Sequence, residues 1–260
     1  TRAAPRPSER LMPASAMAGR IACEESFMRS RTVAPRSYGN WGRLVQRLAA
    51  LMFAAMMSGP VAAQDRVQER PIRIVAFGDS LMAGYQLAMK DAFPAKLESA
   101  LKAKGLDVQV ANAGVSGDTS SGGLSRLDWS VPDGTDAVIV ELGANDMLRG
   151  IDPKVTRAAL EQIVGKLKQR GIEVMLCGML AAPNYGEAYA KEFNAIYPEL
   201  ASANNLVFYP FFLDGIAADA KLNQRDGLHP TEAGVDTIVT RITPKVEELI
   251  ARIRAKRGNR

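Results

Sequence analysis

A single histidine, His229, and two cysteines, Cys23 and Cys177, are all that this 260-residue chain offers of the nitrogen and sulfur ligands that metals favour. Zinc sites draw three or four ligands largely from those residue types, so no zinc set can be assembled; an aspartate-only magnesium site stays open. The Gly-x-x-x-x-Gly-Lys-Ser/Thr loop that cradles nucleotide phosphates is missing. So is any apolar run of the roughly 20 residues that a membrane helix needs. The longest run, Leu48 to Met57, has ten residues. Two cysteines cannot make a disulfide framework, and a chain of this size needs no such staple. Cys177 ends the apolar stretch Val174-Met175-Leu176-Cys177 and reads as a small buried hydrophobe.

A net charge of +5 and a pI near 9.3 suggest a nucleic-acid binder until the charges are located. Residues 1–63 carry nine arginines and three glutamates, whereas residues 64–260 carry 24 basic and 25 acidic groups. The basicity belongs to the front segment, so the body is not read as binding nucleic acid.

That front segment has the order of a secretory signal. Arg43 and Arg47 precede the apolar run, Ser58-Gly59-Pro60 breaks it, and Val61-Ala62-Ala63 offers the small residues that a signal peptidase reads. We therefore expect a signal peptide over 41–63 and a mature chain from Gln64, exported to the periplasm or beyond. No Arg-Arg pair precedes the run, which favours the general secretory route over the twin-arginine one. Residues 1–40 are rich in Arg, Ser, Pro and Ala without periodicity. They are expected to be disordered, or a mis-assigned extension if Met28 is the true start. The remaining span, 64–260, is expected to form one domain.

Along that body, short apolar runs alternate with helical patterns. Pro71 to Val75, Val108 to Ala111, Ala137 to Glu141, Ile172 to Leu176 and Leu206 to Phe208 read as strands. Leu97 and Leu101 share one face of a helix that ends at Gly105. Asp152-Pro153 opens the clearest helix, with Leu160, Ile163, Val164 and Leu167 at i, i+3, i+4 and i+7 and Gly171 as its stop. Glu187 to about Ala203 is helical. A last helix is expected from Pro230-Thr231-Glu232 to about Arg254, with an interruption at Pro244. Asn112 to Gly123 is rich in Gly, Ser, Asp and Thr and reads as a loop. Apolar strands alternating with helices predict a parallel sheet covered on both faces. Ligands of such sheets bind beyond the carboxyl ends of the strands.

Polar blocks follow three of those strand ends. After the first comes Gly78-Asp79-Ser80-Leu81, where Asp79 suits a helix cap and Ser80 sits at a strand-to-helix turn beside unpaired N–H groups. A nucleophilic serine needs that placement, but so does an ordinary capped turn. His229 lies three residues after Asp226 and just before Pro230, a residue suited to the first position of a helix. An aspartate that orients one ring nitrogen while the other faces a serine is the logic of a triad; a lone histidine is also often structural. Gly117 and Asn145, in the loops after the second and third strands, could add a backbone N–H and a side-chain amide. Alone, each reads equally well as a turn residue.

Taken together, Gly78-Asp79-Ser80, Gly117, Gly143-Ala144-Asn145-Asp146 and Asp226 to His229 resemble the SGNH branch of the GDSL hydrolases in order and spacing. Longer stretches are similar to the bacterial periplasmic thioesterase I, protease I or lysophospholipase L1 group and its arylesterase relatives. These include Leu81-Met82-Ala83-Gly84-Tyr85, Ser116 to Ser120, Val140 to Asp146, Leu148-Arg149-Gly150, Asn184-Tyr185-Gly186 and Ile196-Tyr197-Pro198. The likeness spans about 70–250. One departure is Ala144, where many members carry glycine.

The resemblance implies an α/β fold, three-layer α/β/α and flavodoxin-like, with a five-stranded parallel sheet in the order 2-1-3-4-5 and no cofactor or metal. It implies Ser80 as nucleophile, His229 as general base and Asp226 as its orienter, with Ser80 N–H, Gly117 N–H and Asn145 as the oxyanion hole. The expected substrate is a small-molecule or lipid ester or thioester, and the expected enzyme is a monomer without a membrane span once processed. Leu81, Met147, Leu180 and Tyr185 are the expected substrate-binding residues, with Met82, Leu148, Phe211 and Phe212 as further candidates for an apolar groove. No Gly-x-Ser-x-Gly elbow occurs, which argues against the other large serine hydrolase fold. A carbohydrate O-acetylesterase would use the same residues, and a catalytically silent binding module would lack some of them.

Overall fold

The computed structural model describes residues 70–258. The expected extension, signal peptide, cleavage site and Cys23 lie outside the described residues. Five strands form one sheet: β1 Ile72–Gly78, β2 Val108–Gly114, β3 Ala137–Glu141, β4 Glu173–Cys177 and β5 Val207–Tyr209. All pairs are parallel, and the order is β2-β1-β3-β4-β5. The expected three-layer architecture and strand order are those of the molecule.

The sequence explains the layers. Central strand β3 is buried at every position, because the residues of Ala137-Val138-Ile139-Val140 face helices on both sides of the sheet. Helix α1 (Ser80–Ala83) follows β1 directly. Helices α2 (Phe93–Ala103) and α7 (Glu232–Gly258) pack together, burying Phe93, Leu97 and Leu101 against the stripe Val235, Ile238, Ile242, Val246 and Leu249. Helix α3 (Ser120–Ser130) packs on α5 (Pro153–Gln169), which packs in turn on α6 (Glu187–Asn204). The i, i+3, i+4, i+7 set of α5 is buried as its spacing predicts, and Asp152 caps the helix by accepting from the Lys154 N–H at 2.9 Å. Between β3 and α5 lies the short helix α4 (Ala144–Leu148).

Three expectations need correction. The loop expected over 112–123 is only five residues long, Val115 to Thr119. Strand β2 continues to Gly114 because it keeps its ladder with β1, pairing Gly78 with Gly114. Glycine is required there, since a Cβ at Gly114 would fall 2.2 Å from the Ala83 nitrogen. Thr119 then caps α3 through the Gly122 N–H at 3.1 Å. The second correction is Pro244, which does not interrupt α7. It lies on the exposed side, as does Thr240, whose carbonyl loses its helical partner to the missing N–H. That exposed carbonyl can accept from water instead, and the buried stripe runs on. The third is Pro230, which precedes the cap instead of opening the helix. Thr231 accepts from the Gly234 N–H at 3.2 Å, and Pro230 bridges to Asn223.

Candidate active site

The carboxyl ends of β1, β2 and β3 bring Ser80, Gly117 and Asn145 to one edge of the sheet, and the segment before α7 brings His229 and Asp226 to the same place. The Ser80 hydroxyl lies 2.9 Å from His229 Nε2, and His229 Nδ1 lies 2.7 Å from Asp226 Oδ2. Two backbone N–H groups, of Leu228 and His229, donate to Asp226 Oδ1 at 2.9 and 3.1 Å. These donors, the Leu228 N–H first, hold the Asp226 carboxyl down at about 2. With both Oδ1 contacts taken by backbone, Oδ2 is left to fix the imidazole.

The histidine segment is itself tied down. Gln224 accepts nothing from the ring but brackets it: its N–H donates to the His229 carbonyl at 2.7 Å, and its amide donates to the Tyr85 and Pro230 carbonyls. The Tyr85 ring lies against the imidazole, with centroids 4.4 Å apart. Tyr85 belongs to the serine loop, so this contact and the Gln224 bond couple base and nucleophile directly.

Ser80 is buried at the start of α1, and its loop is set by Asp79. Asp79 Oδ1 accepts from the Leu81 N–H at 2.9 Å, as the capping argument predicts, and Oδ2 accepts from Asn145 Nδ2 at 2.9 Å. Burial pushes the Asp79 carboxyl up to about 6 despite those two donors. Among the described residues, neither the Ser80 N–H nor the Gly117 N–H donates to another protein group. Both remain free to meet a negative oxygen. The Gly117 carbonyl is held by Arg149 Nη2 at 2.7 Å. Asp146, the neighbour of Asn145, is fully buried and accepts from the Ser120 N–H, the Ser120 hydroxyl and the Thr156 hydroxyl. It locks α4 to the starts of α3 and α5.

Arg126 is a site residue that sequence reasoning missed. Its guanidinium lies 4.3 Å over the Phe77 ring and donates to the Gly78 carbonyl, the Ala113 carbonyl and Asp118. One buried side chain thus joins the ends of β1 and β2 to the loop that carries Gly117. Its only local signal is the charge of a residue placed at helical spacing among apolar positions. Glu141, the fully buried last residue of β3, was read merely as a strand end.

An apolar pocket of about 130 Å³ opens beside Ser80. Of the expected substrate residues, Leu81, Met147 and Leu180 line it, together with Leu148 and Phe211. Tyr185 does not line it, because its hydroxyl is turned to the Leu148 carbonyl at 3.1 Å and its ring packs on Tyr189. Met82 and Phe212 are core residues with no exposed surface. Met179, Leu213 and Leu228 also line it and were not anticipated, and Asp79, Asn145 and His229 border it beside Ser80. Among the described residues no three His, Cys, Asp or Glu side chains are grouped as a metal site.

Residues 76–237 match the model of the GDSL-like Lipase/Acylhydrolase family. An arylesterase of Vibrio mimicus is 36% identical over 188 residues, which cover 72% of this chain and 90% of that one. The thioesterase 1/protease 1/lysophospholipase L1 of Escherichia coli K12 is 34% identical over 200 residues, 76% of this chain and 91% of its own. Among solved structures, AlinE4, an SGNH-hydrolase family esterase, superposes with a TM-score of 0.59 at 43% identity, covering 69% of this chain and 96% of its own. With the family's motif blocks in order and its fold in place, the chain belongs to the GDSL-like lipase/acylhydrolase family.

Proposed function

We propose that the protein is a serine esterase that hydrolyses carboxylic esters and thioesters through an acyl-enzyme on Ser80. The observation that carries this reading is the continuous chain Ser80 Oγ, His229, Asp226, at 2.9 and 2.7 Å, beside an apolar pocket. His229 Nε2 takes the serine proton as Oγ attacks the carbonyl carbon. Asp226 holds the other nitrogen as the donor and stabilises the imidazolium that forms. Ser80 N–H, Gly117 N–H and the Asn145 amide receive the oxyanion. Collapse of the tetrahedral intermediate expels the alcohol or thiol, which takes the proton from His229. Water, activated by the same nitrogen, then releases the acid and frees Ser80.

The lining favours an acyl group over a sugar. Met147, Met179, Leu180, Phe211 and Leu213 offer no hydrogen bonds to a ring of hydroxyls, which speaks against a carbohydrate O-acetylesterase. A space of about 130 Å³ is close to that of an engineered cavity of about 150 Å³ that takes benzene. The apolar lining suits the acyl groups of aryl esters and acyl-thioesters, with lysophospholipids as the longer-chain test case. A silent binding module would have no use for the complete set of Ser80, Gly117, Asn145, Asp226 and His229. The pattern around Leu48 to Met57 further supports export after cleavage before Gln64, with 64–260 as the hydrolase domain. Among the described residues no helix is long and apolar enough to cross a membrane.

Labelling with a fluorophosphonate, together with a panel of p-nitrophenyl esters from short to long chains, tests the reading. Ser80 should carry the label, and Ser80→Ala should lower kcat by about 10⁶-fold, as for other serine hydrolases that lose the nucleophile. A Ser80→Ala enzyme with wild-type turnover would overturn it.

A further inference from the structure

Beneath the nucleophile lies a carboxyl group that the mechanism above does not use. Glu141 ends β3 in the middle of the sheet, in register with Gly78 of β1 on one side and Cys177 of β4 on the other. It has no exposed surface. Its carboxyl is pressed against the serine loop, since a Cβ placed on Gly78 would lie 2.7 Å from Glu141 Oε2. Among the described residues neither carboxyl oxygen has a donor in full hydrogen-bond geometry, although the Asp79 N–H faces the group. Buried polar atoms are rarely left this way, so the orphan calls for an explanation.

The neighbours narrow the choices. Asp79 faces Glu141 with both its carboxyl and its backbone N–H. Cys177 on β4 and Tyr197 on α6 also feel Glu141, as a thiol and a phenol whose own ionisation it opposes. The Tyr197 hydroxyl is already committed to the Leu142 carbonyl at 3.0 Å. None of these is a cation. Two ionised carboxylates side by side have four acceptor oxygens between them and no donor. A single proton changes this, because a protonated Glu141 becomes a donor to Asp79.

We propose that Glu141 is a positioning residue of the oxyanion hole: held as the neutral acid, it donates its proton to Asp79, and Asp79 thereby orients the Asn145 amide. Asp79 accepts from Leu81 and Asn145. With Glu141 as a third donor, its carboxylate is fixed on both oxygens. The Asn145 NH₂ has two hydrogens, one of which is spent on Asp79. That bond sets the plane of the amide and leaves the second hydrogen for the oxyanion. Without it the amide could rotate and present its carbonyl oxygen, an acceptor, to the developing negative charge. Burial and the adjacent Asp79 raise the Glu141 carboxyl well above the usual range, which agrees with the neutral form.

Glu141→Gln and Glu141→Leu separate this role from simple packing. Glutamine keeps a donor toward Asp79 in nearly the same volume, and leucine fills the space without one. Glu141→Gln should keep kcat within about threefold of wild type. Glu141→Leu should lose about 10- to 100-fold in kcat with little change in KM, less than the loss of an oxyanion donor outright. Infrared difference spectra of wild type against Glu141→Gln at neutral pH should show a protonated carboxylic C=O band that the variant lacks. That measurement decides the matter even if the leucine variant does not fold. Equal impairment of the Gln and Leu variants, or no protonated-acid band, would overturn the proposal. The inference rests on Asn145 as an oxyanion donor, so Asn145→Ala is measured alongside. Wild-type kcat in that variant would sink the donor reading itself. An impaired Asn145→Ala beside an unimpaired Glu141→Leu would sink only the role of Glu141.

Discussion

Two aspartates flank the Ser80–His229 pair, and the fold treats them in opposite ways. Asp226 stands at the surface in a loop and collects backbone N–H donors, which hold its carboxyl at about 2. Asp79 has no exposed surface, and burial leaves it at about 6 although it too accepts two hydrogen bonds. The same side chain is thus held below the usual carboxylate range beside the histidine, and raised above that range where it holds a backbone turn and an amide. Burial decides the second case and local donors decide the first. Exposed or not, an aspartate stays a strong acid when the chain itself supplies the donors.

The largest expected effect breaks the exposed half of the comparison. In Asp226→Asn the amide oxygen can still accept from the Leu228 and His229 N–H groups, so the loop should keep its shape. The amide NH₂ would then face His229 Nδ1, forcing that nitrogen to accept and Nε2 to carry the proton. A base with the wrong tautomer costs about 10⁴-fold in kcat in a comparable triad. Asp226→Asn should lose activity on that scale with a melting temperature near that of wild type. A loss of less than tenfold would mean that Asp226 does not orient the base.

A smaller effect sharpens the buried half. Asn145 and Asp146 are neighbours on α4 but have different partners: Asn145 reaches Asp79, while Asp146 ties down Ser120 and Thr156. Asn145→Ala should lower kcat by about 10²–10³-fold while KM and melting temperature change little. Asp146→Ala leaves buried donors unpaired at about 1–3 kcal/mol each, so it should lower the melting temperature by several degrees instead. Similar losses of stability in both variants, with turnover per folded molecule intact, would reduce Asn145 to a turn residue.

How much of this was legible in the sequence depends on how far each contact reaches. The strands and the convergence of Ser80, Gly117, Asn145 and His229 were readable, because each polar block directly follows an apolar run or precedes a capped helix; the sheet order came from the family resemblance alone. Asp79 as a cap was readable for the same reason, since its partner Leu81 is two residues away. The Arg126 clamp was not, because its partners at Gly78 and Ala113 lie 48 and 13 residues away. Glu141 was hidden by its strand: period-two patterning treats a terminal Glu as the end of burial, and here the next strand ends cover it. The pocket lining was only half readable. Met82 and Phe212 match Met147 and Phe211 in composition, and only packing assigns the first pair to the core and the second to the pocket. Pro244 was misread because a missing N–H breaks a helix only where its orphaned carbonyl cannot reach water.

The smallest effect is thermodynamic and tests both halves at once. Asp226 has a lowered pKa, so its contribution to stability is present above the unfolded value near 3.8 and is lost as pH falls toward about 2. Asp79 and Glu141 have raised pKa values, so the sign reverses. Their contribution is complete below the unfolded values of 3.8 and 4.5 and is lost as pH rises, through about 6 for Asp79 and higher for Glu141. Between about pH 4 and 6 the native protein holds up to two more protons at this pair than the unfolded chain does. Each extra proton corresponds to about 1.4 kcal/mol of stability lost per pH unit. In Glu141→Gln one of those protons is gone, so the variant should gain on wild type as pH rises from about 4 toward 7. A domain of this size shifts by roughly 2–4 °C per kcal/mol, which makes the expected gain about 3–5 °C per pH unit. Asp226→Asn should leave that slope unchanged and lie slightly below wild type above about pH 4, a difference that closes toward pH 2 as the weak, solvent-screened contribution of an exposed carboxylate disappears. Thermal melts of the three proteins across this range measure both. A difference between Glu141→Gln and wild type that stays flat with pH would mean that Glu141 is ionised in the native state, and the contrast between a neutral floor and an anionic rim would fail.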